Sequence, residues 1–261
     1  MDMNAVIPAP TRAAIDTFTQ CGLGVMRGLL DGREIDALLD ETRRLWDVRD
    51  PDGLGNLRYG LRPGPGGETV IERIDPVADI SEPFAALNVD PRLTGLAQAA
   101  LGEPVTVLKE KLIYKWPGTE GYEPHRDGPY LDVSGVPGCE MVTLLVALDA
   151  TTHENGTTEF FPGLRLVPTP ARVDEPRDLA TAAIDGEWSL MPELDRGDVA
   201  FFDGLLPHQS GPNASDAPRR TYFLTYAPAR YGDCRRRYYA ERRRQQLAVR
   251  EQLVNGASYF R

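Results

Sequence analysis

Lysine is nearly missing from this sequence: of 29 basic residues only Lys109, Lys111 and Lys115 are lysines, and all three fall in one short stretch. Histidine is as scarce, with His125, His153 and His208 alone, so chemistry that needs imidazole has few places to be. The cysteines, Cys21, Cys139 and Cys234, are odd in number and far apart, which argues against a disulfide framework and a paired-thiol zinc site. No stretch approaches the roughly 20 consecutive apolar residues that span a bilayer, and Met1 to Pro10 has no basic start leading into an apolar run. Membrane insertion and secretion are not expected, and the cytoplasm is the expected compartment. A net charge of −10 opposes general binding to nucleic acid. The local run of Arg235, Arg236, Arg237, Arg242, Arg243 and Arg244 reads instead as a solvated helix face.

What is present suits an ordinary globular chain: 261 residues, 41% hydrophobic and 26% charged. A β-rich chain of this length commonly folds as one unit, so residues 1–261 are expected to form a single domain. An N-terminal helical segment (about 1–50) has helix-like stretches around a short apolar run, Gly22 to Leu30. Residues 51–68 are rich in glycine and proline and are expected to form a surface loop. A helix is expected over Pro91 to Leu101. Short strands follow at Val105 to Tyr114, Glu140 to Leu148, Thr157 to Phe161, Val199 to Phe202 and Thr221 to Tyr226, with turn residues between them. That pattern predicts an antiparallel sandwich or barrel over about 100–230. Residues 167–197 read as an insertion over the pocket, and a C-terminal helix is expected over about 235–253.

In Pro124-His125-Arg126-Asp127-Gly128, histidine and aspartate stand two apart, and such positions share a face of an extended chain. Leu206-Pro207-His208-Gln209-Ser210-Gly211, after the apolar strand at 199–202, offers a second imidazole. Two histidines and a carboxylate on one side of a metal leave three adjacent positions for other ligands, the arrangement of iron(II) sites that take a cosubstrate and O2. His153, in a turn sequence, is expected to face solvent. A 2-oxo acid that chelates such a metal needs a cation for its distal carboxylate, and arginine suits it through bidentate geometry. Arg219 and Thr221 alternate along one strand face, so both can look into the pocket while Arg220 and Tyr222 look away.

These residues, with Asn155-Gly156, Pro162-Gly163, Gly197-Asp198 and Pro207 to Asn213, closely resemble the phytanoyl-CoA dioxygenase-like family of iron and 2-oxoglutarate oxygenases. The resemblance runs from the 22–39 region to about Pro228. It implies a mainly β fold, a double-stranded β-helix (jelly roll, cupin-like) with flanking α-helices. It implies His125, Asp127 and His208 as iron(II) ligands, Arg219 as the 2-oxoglutarate anchor, and Thr143 as another cosubstrate-lining residue. Where the family usually has Gly-Ser-His, this chain has Gly163-Leu164-Arg165, an outer-turn departure. Asp127 keeps the carboxylate position that halogenating relatives leave to chloride. Oxygenation is therefore expected, hydroxylation by default, with O2 and 2-oxoglutarate as cosubstrates and succinate and CO2 released.

The lysines share one parity. If that face turns inward, Lys111 can contact 2-oxoglutarate or an acidic substrate group; if outward, Lys109, Lys111 and Lys115 are a charged surface. The expected partner is a small polar metabolite such as an amino acid, a phosphonate or a natural-product intermediate, handled by a monomer or homodimer. The alternatives are a cupin-like metal isomerase or hydrolase, against which Arg219 discriminates, and a silent binding module, against which the complete triad argues.

Overall fold

The structure, a computed structural model, describes residues 9–47, 58–64, 66–172 and 178–250. Its architecture follows from side chains that alternate between two buried environments. In β6 (Val142–Ala147) every residue is buried. Val142, Leu144 and Val146 join one apolar cluster, whereas Leu145 and Ala147 join another. A strand covered on both faces belongs in a sheet interior, and β6 sits between β8 (Val199–Asp203) and β10 (Arg219–Pro228). β10 alternates in step: Tyr222, Leu224 and Tyr226 join the first cluster, which leaves Arg219, Thr221, Phe223 and Thr225 to the opposite face.

The large sheet has seven antiparallel strands in the order β1-β8-β6-β10-β4-β3-β2, with β1 (Leu23–Met26), β2 (Tyr59–Pro63), β3 (Thr69–Ile74) and β4 (Val105–Lys115). Four helices cover one face: α1 (Ala9–Cys21), α2 (Gly32–Asp47), α3 (Glu82–Leu87) and α4 (Pro91–Leu101), whose Phe18, Ile35, Leu38, Phe84, Leu93 and Leu96 fill the first cluster. Local chemistry fixes their ends. The Asp31 carboxylate accepts from the N–H groups of Arg33 (2.8 Å) and Glu34 (3.0 Å), and the Glu34 carboxylate accepts from Asp31 N–H (2.7 Å), a reciprocal cap for α2. Asp90 and Pro91 start α4, and Gly102 at φ +74° ends it.

The other face of the large sheet opposes a three-stranded antiparallel sheet, β5-β9-β7, made of β5 (Tyr122–His125), β9 (His208–Ser210) and β7 (Thr158–Phe160). Phe160 packs between the sheets with Leu145, Ala200 and Phe202. The short helix α5 (Asp127–Leu131) follows β5, and α6 (Cys234–Arg250) closes the described chain.

Three sequence expectations need correction. The 51–68 segment is not all loop, because Tyr59–Pro63 is strand β2, hairpinned to β3; residues 51–57 lie outside the described residues. The large sheet is not confined to about 100–230, because β1, β2 and β3 complete it from the N-terminal side. The C-terminal arginine run is not wholly solvated. Arg236, Arg243 and Arg244 are exposed, but Cys234, Tyr238 and Tyr239 bury one face of α6 against Leu108, Leu131 and Met141, and Arg235 reaches the buried Glu110. Among the described residues no helix is long and apolar enough to cross a membrane.

Candidate active site

The small sheet brings the two distant histidines together. His125 ends β5, His208 begins β9, and the two are direct partners in the antiparallel register, with ring centroids 4.3 Å apart. Arg126, between His125 and Asp127, is extended (φ −116°, ψ 141°), so Asp127 projects on the same side as His125. One donor atom from each of His125, Asp127 and His208 lies within 4.8 Å of the others. Close approach is allowed because Gly121 lies against the Ser210 carbonyl, where any Cβ would collide.

Protonation suits ligation. The Nδ1 atoms of His125 and His208 lie 2.7 Å from the Glu123 carbonyl and 3.0 Å from the Leu206 carbonyl. A carbonyl can only accept, so each Nδ1 carries the proton and each Nε2 keeps its lone pair. Burial pushes His208 down to about 3 and lowers His125 as well, so both rings are neutral at neutral pH. Burial alone raises the Asp127 carboxyl, but the charges that His208, Lys111 and His125 carry at the low pH where it titrates outweigh burial and hold the group well below the usual carboxylate range. With His208 neutral, Lys111 is the standing cation beside that carboxylate. Two neutral nitrogens and one anionic oxygen form a donor set that fits a ferrous ion and fills half of an octahedron.

Thr143 completes the support. Its Oγ1 lies 3.0 Å from Asp127 Oδ2 and 2.9 Å from Thr225 Oγ1. The carboxylate cannot donate, so Thr143 donates to Asp127 and Thr225 donates to Thr143. The hydroxyl is thus committed to the aspartate, where the family resemblance implies a cosubstrate contact. Arg126 ties the same turn down, donating to the carbonyls of Leu205 (2.7 Å), Leu164 (2.7 Å) and Val167 (2.8 Å) and to Thr169 Oγ1 (2.6 Å). Arg165, in the departure from the family pattern, pairs with the buried Asp203.

Tyr122, which lines a cavity with His125 and Asp127, belongs to a group of buried donors without partners. Arg219 is 2% exposed, yet its Nε and Nη1 have no hydrogen-bond partner, nor do the buried Thr221 Oγ1 and Tyr122 OH. Burial brings the Arg219 guanidinium down to about 10 and pushes the Tyr122 phenol above its ordinary range. Buried polar groups are almost always paired, and these three side chains share a neighbourhood: Arg219 is the register partner of Lys115, whose Nζ stands 6.0 Å from the Tyr122 ring. One carboxylate would satisfy them, so the residues present fit the distal end of 2-oxoglutarate. Arg220 and Tyr222 look away, bonded to Asp149 and Asn88.

All three lysines turn inward, but not to one task. The Lys115 ammonium donates to Ser210 Oγ (2.9 Å), the Gly156 carbonyl (3.3 Å) and the Gly211 carbonyl, tying β4 to the turn after β9. Burial, then repulsion from Arg219, brings it down to about 7. Lys109 and Lys111 line a cavity of about 350 Å³ that reaches His125 and Asp127. Burial, then Lys109, brings Lys111 down to about 8. Arg62, from the glycine-rich segment, and Asp178, from the 167–197 insertion, also line the cavity. His153 is exposed, as its turn sequence implies.

Sequence reasoning missed Tyr122, Thr225, Arg73 and Tyr130. Parity with Arg219 and Thr221 points to Thr225. Tyr122 had no such signal, because an irregularity between Tyr122 and His125 breaks the strand period.

The family model described as phytanoyl-CoA dioxygenase matches residues 18–221. A methylphosphonate hydroxylase of Gimesia maris is 37% identical over 158 residues, 59% of this chain and 57% of that protein; the chain thus spans little more than half of that relative. A 2-aminoethylphosphonate dioxygenase from an uncultured bacterium is 24% identical over 234 residues, 90% of this chain and 87% of that one. Among solved structures, the epimerase SnoN in complex with Fe3+, alpha ketoglutarate and nogalamycin RO superposes with a TM-score of 0.69 at 25% identity, covering 85% of each chain.

Proposed function

Because this chain belongs to the phytanoyl-CoA dioxygenase family, we propose that it is an iron(II)- and 2-oxoglutarate-dependent oxygenase that hydroxylates an unactivated C–H bond of a small polar metabolite. The observation that carries the reading is the convergence of His125, Asp127 and His208 beside a buried arginine whose donors have no partner. When bound, iron, 2-oxoglutarate and O2 supply the oxidising power, one oxygen atom ending in succinate with loss of CO2 and the other in the product hydroxyl.

In this reading His125 and His208 hold the metal through Nε2, and Asp127 adds the negative charge that lowers the net charge of the centre. Thr143 fixes which way the carboxylate points, as partners behind metal ligands do. Arg219 takes the distal carboxylate of 2-oxoglutarate through charge-assisted hydrogen bonds, with Thr221 and Tyr122 adding hydroxyl donors. Buried donors of this kind have no use in a metal isomerase or hydrolase that needs no 2-oxo acid, and this favours the oxygenase over that alternative. The two facing sheets are read as the walls of a jelly roll, and the N-terminal edge strands as part of the same domain. Two of the relatives are named for phosphonates, and a phosphonate is among the small polar metabolites that this cavity would suit.

The test is anaerobic titration of the protein with ferrous ion and 2-oxoglutarate, followed by visible absorption. A weak charge-transfer band that needs both ligands is expected, and it should vanish in His208→Ala. Folded protein that gives no band rules out the chelate and with it the proposed chemistry.

A further inference from the structure

The charged side chains around the cavity are not engaged equally. Each acid of its wall has a partner: Asp127 with Thr143 Oγ1 at 3.0 Å, Glu72 with Arg62 at 3.0 Å, Asp75 with Tyr239 OH at 2.9 Å, Glu123 with Arg172 at 3.4 Å, and Asp178 with Tyr130 OH. Three cations on the same wall have none. Lys109 and Lys111 touch only the rings of Tyr238 and Phe223, at 5.4 and 4.9 Å. Like Arg73, they make no hydrogen bond or ion pair among the described residues. Lys115 does not belong with them, because three oxygens already surround its ammonium.

Topology explains the grouping. Lys109 and Lys111 share the inward parity of β4, and Arg73 on β3 is the register partner of Ile113, two residues further along that parity. Three like charges around one cavity repel, and low-dielectric walls sharpen that repulsion. Asp127 and Asp75 are the counter-charges that act on Lys111, and a bound metal would engage the first of them.

We propose that Lys109, Lys111 and Arg73 form the substrate-anchoring wall of the cavity, and that the substrate carries a tetrahedral, doubly charged oxyanion group, a phosphonate or phosphate ester, seated against them. This rests on the oxygenase reading for what happens next to the metal, but the anion site itself is independent of it. A single carboxylate offers two oxygens, fewer than the three cationic side chains that face the cavity. A tetrahedral oxyanion group offers three oxygens to three donors. The cosubstrate has its own cation in Arg219, which faces Lys115 and not Lys111.

The experiment is calorimetric titration of the full chain with methylphosphonate, methyl phosphate and acetate, without metal and again with ferrous ion and 2-oxoglutarate under anaerobic conditions. Both dianions should bind and acetate should not. Succinate release with one dianion and not the other then tells the two sources apart. Lys109→Gln and Arg73→Gln, on separate strands, should each weaken dianion binding roughly tenfold or more, with Lys109→Arg restoring it and the apparent affinity for 2-oxoglutarate unchanged. If the dianions do not bind a protein that still forms the chelate band, the wall proposal is overturned while the oxygenase stands. If the variants weaken 2-oxoglutarate instead, the wall serves the cosubstrate and the proposal is again overturned. Loss of the band with retained dianion binding would sink the oxygenase reading alone.

Discussion

A single hydroxyl proton from Thr143 sets the direction of the Asp127 carboxylate that the proposed iron site would use. Thr143 has one proton to give, the Asp127 carboxylate can only receive it, and Thr225 fills the acceptor side. Removing it leaves a buried carboxylate free to rotate away from the histidines. Thr143→Val should therefore weaken ferrous binding by about 10- to 100-fold, the usual effect of losing such a support, while Thr143→Ser keeps most of it. Metal titration read against a competing chelator checks this; equal affinities in the wild type and Thr143→Val would show that the hydroxyl does not orient the aspartate. At this scale the sequence was informative where period and chemistry agree. His125 and Asp127 flank an extended residue, and Arg219 and Thr221 alternate on one strand, so local parity places all four. The direction of the Thr143 hydroxyl depends on a turn distant in sequence, and parity along one strand says nothing about that.

The helix α6 carries a comparable lesson for elements. Its composition reads as polar, yet it closes the cavity end of the molecule through Tyr238, Tyr239 and the pairing of Arg235 with Glu110, at 2.8 and 3.2 Å. Glu110 is fully buried, and burial raises its carboxyl above the ordinary value even with Arg235 beside it. Arg235→Ala strands that charge. The cost should be about 3 kcal/mol, the low end for breaking a buried pair, because Arg235 itself is 29% exposed in its side chain. The sign with pH is fixed: a raised pKa in the folded state means stability is greatest below the ordinary glutamate value and is lost as pH rises through the folded value. Without Arg235 the folded value moves higher still, so the deficit should be larger at pH 8 than at pH 5. Urea unfolding at the two pH values measures it, and a deficit independent of pH would mean that Glu110 is not what the arginine neutralises. Elements of intermediate length were legible, such as α4, with its aspartate, proline and glycine end signals. The strands β5 and β9 were not, because at three or four residues they are shorter than any period can register. They exist because the two histidine-bearing segments pair with each other.

At the scale of the molecule, the alternation of β6 and β10 dictates a sheet with helices on one face and a second sheet on the other, and that much follows from the apolar pattern. Which strands form the edges does not, because β1 joins β8 and the β2–β3 hairpin joins β4 across long stretches of chain, pairings that leave little mark on composition. The cavity is lined from β2, β3, β4, β5, α5 and α6, so ligands placed there bridge several elements at once. Ligands that bind only the folded state must then stabilise it by mass action. At a hundredfold excess over the dissociation constant each contributes about 2.7 kcal/mol, or roughly 5–10 °C in midpoint for a chain of this size. Ferrous ion, or manganese as an air-stable substitute, should raise the thermal midpoint on its own. A further rise with 2-oxoglutarate should require the metal, because the chelating end has no other anchor. Arg219→Ala should lose the second increment and keep the first, while His208→Ala should lose both. A 2-oxoglutarate increment that survives in Arg219→Ala would show that the distal carboxylate is held elsewhere and would remove the buried arginine from the site.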